Sequence, residues 1–146
     1  FSPERSGTLP VGQVADLAFS GKYTREQMRK MIAGQGGVVA HLGTNDMREV
    51  RKRAAEGDEK SRLILHALAY NVGKEIGAMA AVLHGEVNAI LITGGIAYST
   101  EVCEYIKTMV EFIAPVEVYP GEDEMKALAD NALAVIEGKT EPKVYR

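Results

Sequence analysis

Cysteine is nearly absent from this sequence, with Cys103 the single one in 146 residues. One thiol can form neither an intrachain disulfide nor a thiolate metal cage, which points to a reducing compartment and makes the cytoplasm the expected location. Long apolar runs are missing as well. None approaches the roughly 20 residues of a membrane span, and no charged-then-apolar leader precedes the first predicted helix. Neither sign of charge dominates: 17 Lys and Arg stand against 20 Asp and Glu, for a formal net charge of -3. Without a basic stripe, nucleic acid and membrane are not expected partners. Internal repeats and low-complexity tracts are also lacking. An initiator Met is missing, and the chain opens directly on the turn-rich Phe1-Ser2-Pro3-Glu4-Arg5-Ser6-Gly7. The expectation is therefore the later part of a longer chain.

What remains is an ordinary globular composition, 46% hydrophobic and 25% charged, sufficient for one domain with a real core. Leu9, Val11, Val14, Leu17 and Ala18 repeat at mostly helical spacing and predict a helix over Leu9–Phe19, stopped by Gly21. Thr24 and Gln27 make a capping-box pattern for a second helix through Ala33, ended by Gly34, Gly36 and Gly37. Val38 to Leu42 is a short apolar stretch, after which Asn45 is the predicted N-cap of a charged helix over Asp46–Glu56.

The longest predicted helix starts at the cap Asp58 and runs to about His84, with Gly85 as its stop. Leu65, Leu68, Ala69, Val72, Ile76, Met79 and Leu83 form its core stripe, while small residues such as Gly73 and Gly77 let other elements approach. Val87 to Thr93 reads as a buried strand ending on Gly94 and Gly95. A helix over Ser99–Phe112, a strand over Val116–Tyr119, the breaker Pro120-Gly121 and a helix near Asp123–Glu137 complete the pattern. Strand, helix, strand, helix predicts an α/β fold, rich in helix, with a parallel βαβα unit. The polar tail Lys139–Arg146 is expected to fray.

Four places can carry chemistry. Thr93-Gly94-Gly95 exposes backbone amides that a ligand can approach closely, although the same pattern also serves as a plain strand-to-helix turn. It has neither the Lys of a phosphate loop nor the third glycine of a dinucleotide fingerprint. Asp46 and Arg48 open a helix, either as a solvated capped start or as an acid and a planar cation that grip an anion or stack on a flat ring. Glu122, Asp123 and Glu124 either compensate a helix dipole or offer oxygen ligands to Mg²⁺. Arg5 sits on stiff irregular backbone that can aim it into a cleft or leave it on the surface. His41, His66 and His84 show no metal spacing, and Cys103 lies in an apolar helix as inert packing.

In order along the chain, these segments resemble the acetate and butyrate kinase family, within the fold group of sugar kinases, actin and heat-shock ATPases. Pro3-Glu4-Arg5-Ser6-Gly7 resembles its Arg-Ser-Gly segment, and Asn45-Asp46-Met47-Arg48 its Asp-aromatic-Arg segment. Leu91-Ile92-Thr93-Gly94-Gly95-Ile96 resembles its adenosine motif, and Tyr119-Pro120-Gly121-Glu122-Asp123-Glu124-Met125 its acidic turn. Met47 in place of the aromatic residue and Ala97-Tyr98-Ser99 in place of Gly-Glu-Asn bring the pattern nearer the butyrate-type members than the acetate-type ones.

The resemblance implies a ribonuclease H-like, actin-like ATPase domain, with residues 1–146 forming the C-terminal nucleotide-binding half of a two-domain fold. The N-terminal domain and the phosphate-binding hairpin would lie upstream. It also implies direct in-line transfer of the γ-phosphoryl group of ATP to a short-chain carboxylate, butyrate above all, with Mg²⁺ present. Arg5 would be catalytic. Asp46, Met47, Arg48, Gly94, Gly95, Ile96 and Ser99 would hold the nucleoside, and Asp123, with Glu124 second, would orient Mg²⁺ through water. A homodimer or higher homo-oligomer is the implied assembly. An acetate or branched-chain fatty acid kinase, or a non-catalytic nucleotide-binding or dimerisation module, remains open.

Overall fold

A computed structural model describes residues 1–142; of the tail expected to fray, positions 143–146 lie outside the described residues. The longest helix organises the rest. Helix α5 (Glu59–Val82) starts at Asp58, whose carboxylate accepts the Lys60 N–H at 3.1 Å and the Ser61 hydroxyl at 2.5 Å. Helix α6 (Thr100–Val110) packs along it, and Leu65, Leu68, Ala69, Val102, Ile106 and Val110 are buried. The predicted close approach is present at Gly73, where an added methyl would stand 2.8 Å from the Met109 sulfur. Helix α4 (Met47–Ala55) adds the buried Val50 and Ala54 to the same core.

The strands pair as predicted, with corrections to their bounds and to the burial of the first. Strands β1 (Ile90–Gly94) and β2 (Val116–Pro120) pair in parallel, Ile90 opposite Val116 and Gly94 opposite Pro120, joined by a crossover through α6. Val87 to Ala89, expected in the strand, lie outside it, because turn bonds from Glu86 N–H to Leu83 and from Val87 N–H to Gly85 complete the end of α5 first. The strand is also buried on one face only: Ile90 and Ile92 are covered, whereas Leu91 is 63% exposed.

Helix α1 (Val11–Phe19) and helix α2 (Arg25–Ile32) contribute no buried residue. The capping box of α2 forms in both directions, Gln27 N–H to the Thr24 hydroxyl at 3.2 Å and Thr24 N–H to the Gln27 side chain at 2.8 Å. Val38 to Leu42 belong to a short helix, α3 (Gly37–Leu42). Backbone carbonyls of Ser2 and Pro3 accept the Val38 and Val39 N–H groups at 3.1 and 3.0 Å, satisfying donors that a helix start leaves unpaired. The opening segment is thereby fixed on α3, and Val38 is fully buried. Helix α7 (Glu124–Ile136) closes the described chain with no buried residue. Among the described residues no helix is long and apolar enough to cross a membrane.

Candidate functional site

An open cleft of about 990 Å³ lies between the start of α4 and the end of β1. Its first wall begins at Asp46, which occupies the N-cap of α4 in place of the predicted Asn45. The reason is visible in the bonding: Asp46 Oδ1 accepts the Arg48 N–H at 2.9 Å, whereas Asn45 turns its amide to the Glu4 carboxylate and ties the opening segment to α4. The Arg48 side chain returns to the same carboxylate, Nε to Oδ1 at 3.1 Å and Nη2 to Oδ2 at 3.0 Å. Hydrogen bonding from Arg48 holds the Asp46 carboxyl down at about 2. Arg48 is thus fixed as a planar cation, and Met47 and Arg51 complete this wall.

The second wall is built where both parallel strands end. Gly94 has φ 82° and ψ -174°, a combination essentially confined to glycine, and a single 3₁₀ turn over Gly95–Tyr98 follows it. Gly95 faces open space: an added methyl would meet nothing within 4 Å. Gly94 and Gly121 exchange backbone bonds, Gly94 N–H to the Gly121 carbonyl at 3.1 Å and Gly121 N–H to that of Gly94 at 3.2 Å. This bridge carries Glu122 to the cleft, where Gly95, Ile96 and Tyr98 also line it.

Of the predicted site residues, the structure gathers Asp46, Met47, Arg48, Gly95 and Ile96 around one cleft, while Gly94 lies outside its lining, next to the Glu122 side chain. Ser99 is buried, and its hydroxyl caps α6 by accepting the Val102 N–H at 3.5 Å. Arg5 is exposed in a bridge to Ala33 and does not line the cleft, although its neighbour Pro3 does. Asp123 and Glu124 are exposed at the start of α7, again outside the lining. Sequence reasoning did not single out Arg51 or Tyr98, and it considered Glu122 only for helix-dipole compensation or Mg²⁺. Arg51 could have been found, since it lies three residues beyond Arg48 on one helix face.

Two other expectations have plain outcomes. Cys103 is buried, with its thiol directed at the Ala97 carbonyl, and burial pushes that thiol up, so it is inert packing. His66 joins Glu101 at 2.9 Å and stacks on Tyr105, fastening α5 to the first turn of α6. Among the described residues no group of three or more His, Cys, Asp or Glu could hold a metal ion.

The family model described as "Acetokinase family" matches residues 3–136. The chain is 57% identical over 145 residues to a probable butyrate kinase 2 of Caldanaerobacter subterraneus subsp. tengcongensis, covering 99% of this chain and 41% of that protein. It is 50% identical over 146 residues to a probable butyrate kinase of Bacteroides thetaiotaomicron, covering 100% and 41%. The chain therefore spans about two fifths of the length of these curated relatives. Among solved structures, Porphyromonas gingivalis acetate kinase superposes with a TM-score of 0.77 at 22% identity, over 91% of this chain and 40% of that one. A propionate kinase from Francisella tularensis subsp. tularensis superposes with a TM-score of 0.70 at 20% identity, over 84% and 38%. These likenesses establish a helix-rich α/β fold shared with those acetate and propionate kinase structures, and the match over residues 3–136 makes the chain a member of the acetokinase family.

Proposed function

We propose that this chain is the C-terminal, nucleotide-binding portion of an ATP-dependent carboxylate kinase that converts butyrate to butyryl phosphate. The observation that carries the proposal is the cleft itself. Segments about 50 residues apart, at Asp46–Arg48 and Gly94–Ile96, face each other across a space with a planar cation on one wall and bare backbone on the other. That is a receptor for a flat, hydrogen-bonding ring. Butyrate is preferred over acetate as the acceptor because the two butyrate kinases are 57% and 50% identical to this chain.

In this reading Arg48, held flat by Asp46, stacks on or borders the adenine, and Met47 supplies an adaptable apolar contact. Backbone at Gly94, Gly95 and Ile96 holds the nucleoside, while Ser99 acts one step back by fixing the start of α6. Arg5 reaches the transferring phosphoryl group in the complete protein and stabilises its equatorial oxygens. Asp123, supported by Glu124, orients Mg²⁺ through water. The ion would neutralise charge building on the β- and γ-oxygens. Most of the acceptor pocket and the phosphate loops belong to the part of the protein outside this chain, so this chain alone is inactive. Self-association as a homodimer or larger homo-oligomer belongs to the same proposal.

The test is acyl-phosphate formation by the full-length protein with acetate, propionate, butyrate and isobutyrate. The highest kcat/KM for butyrate supports the reading, and a higher value for acetate shifts it to an acetate kinase. No turnover with any of the four leaves a nucleotide-binding module without catalysis.

A further inference from the structure

We infer that Glu122 is the sugar-recognising residue of the cleft, accepting hydrogen bonds from the ribose hydroxyls of the nucleotide. The inference rests on the nucleotide reading above and assigns a residue that this reading leaves without a role. Ligands of open parallel sheets bind in the crevice outside the carboxyl ends of the strands. Here β1 ends at Gly94 and β2 runs into Gly121, and the paired backbone bonds between them fix the base of Glu122, which lines the cleft. Its Oε1 lies 3.4 Å from where a Gly94 side chain would begin, next to the Gly95 and Ile96 that line the cleft with it.

The alternatives for such a carboxylate are poor. Asp46, the other carboxylate of the cleft, already has both oxygens on Arg48. Glu122 has no hydrogen-bond or ion-pair partner among the described residues. No third ligating group stands near to make a metal site. An ionised carboxylate accepts through two oxygens and matches a pair of neighbouring hydroxyls, the role an acidic residue plays toward the ribose in dinucleotide folds.

The experiment measures calorimetric affinities of the full-length protein for ATP, 2′-deoxy-ATP and 3′-deoxy-ATP, with Mg²⁺ and with EDTA, in the parent, Glu122→Ala and Glu122→Gln. The parent should bind ATP about tenfold or more tightly than at least one deoxy analogue, the scale of a hydrogen bond to a charged group. Glu122→Ala should erase that preference by weakening ATP alone, in both buffers, and Glu122→Gln should fall between. Equal weakening of all three nucleotides, or an effect confined to Mg²⁺ buffer, overturns the ribose assignment. Arg48→Ala separates the two readings: if it weakens ATP while Glu122→Ala does not, only the ribose assignment fails. If neither substitution changes ATP binding, the cleft is not the nucleotide site.

Discussion

Asp46 and Arg48 hold each other through three contacts to one carboxylate: the Arg48 N–H at 2.9 Å, Nε at 3.1 Å and Nη2 at 3.0 Å. The acid begins the helix and aims the guanidinium in one stroke. Asp46 is depressed from 3.8 to about 2, chiefly by the Arg48 hydrogen bond, so what the clasp contributes is complete above the ordinary carboxylate value and is lost as the pH falls through the depressed one. Between about pH 5 and 8 the clasp should add no pH dependence to ATP affinity. Asp46→Asn should weaken ATP binding by a similar factor throughout that range. A titration of affinity against pH for parent and Asp46→Asn checks this, and converging affinities near neutrality would count against the clasp.

Adjacent glycines should respond in opposite ways. Gly94 sits at φ 82° and ψ -174°, so Gly94→Ala should cost about 1 to 3 kcal/mol of stability. Gly95 has an ordinary φ and free space, so Gly95→Val should leave the fold intact while placing a branched side chain where the nucleoside lies. Positive φ in this motif is confined to its first glycine. Denaturant melts paired with ATP calorimetry separate the two effects.

Gly37→Ala should unfold the opening segment. Its φ is 57°, and an added methyl would overlap the Ser2 carbonyl and stand 2.6 Å from that of Arg5. Strain and collision together should exceed about 2 kcal/mol. Chemical denaturation measures the loss, and proteolysis near Ser2 to Gly7 should accelerate.

Arg5→Ala in the full-length protein should lower kcat on the order of 10³-fold while changing the ATP KM little, the pattern of a cation that engages the transition state. Lysine should rescue poorly, because a point charge cannot reproduce a planar fork. A kcat within about threefold of the parent would remove Arg5 from the chemistry.

Elements whose signals are local were legible in the sequence. The Thr24–Gln27 capping box, the Asp58 cap and the first half of the α5 stripe, Leu65, Leu68 and Ala69, needed only spacing, whereas Met79 and Leu83 of the same predicted stripe are half exposed. Helix α3 was not legible, because its first donors are satisfied by Ser2 and Pro3, more than 30 residues away in sequence. Asn45 lost the cap to Asp46 for the same kind of reason: a distant carboxylate, that of Glu4, engaged its side chain. At the site, motif order found Asp46 to Arg48 and Gly94 to Ile96. It named Glu122 only within the acidic turn and could not place it or Tyr98 in this cleft, since that depends on a bridge between two strand ends.

Helix α7 offers a last consequence, through its 13 residues and the absence of a single buried one. A helix of that length is marginal in water when nothing packs on it. In this chain taken alone, amide hydrogens along α7 should therefore exchange with deuterium in the first moments of labelling, while those of Leu65 to Ala69 and Val102 to Ile106, locked between α5 and α6, outlast them by orders of magnitude.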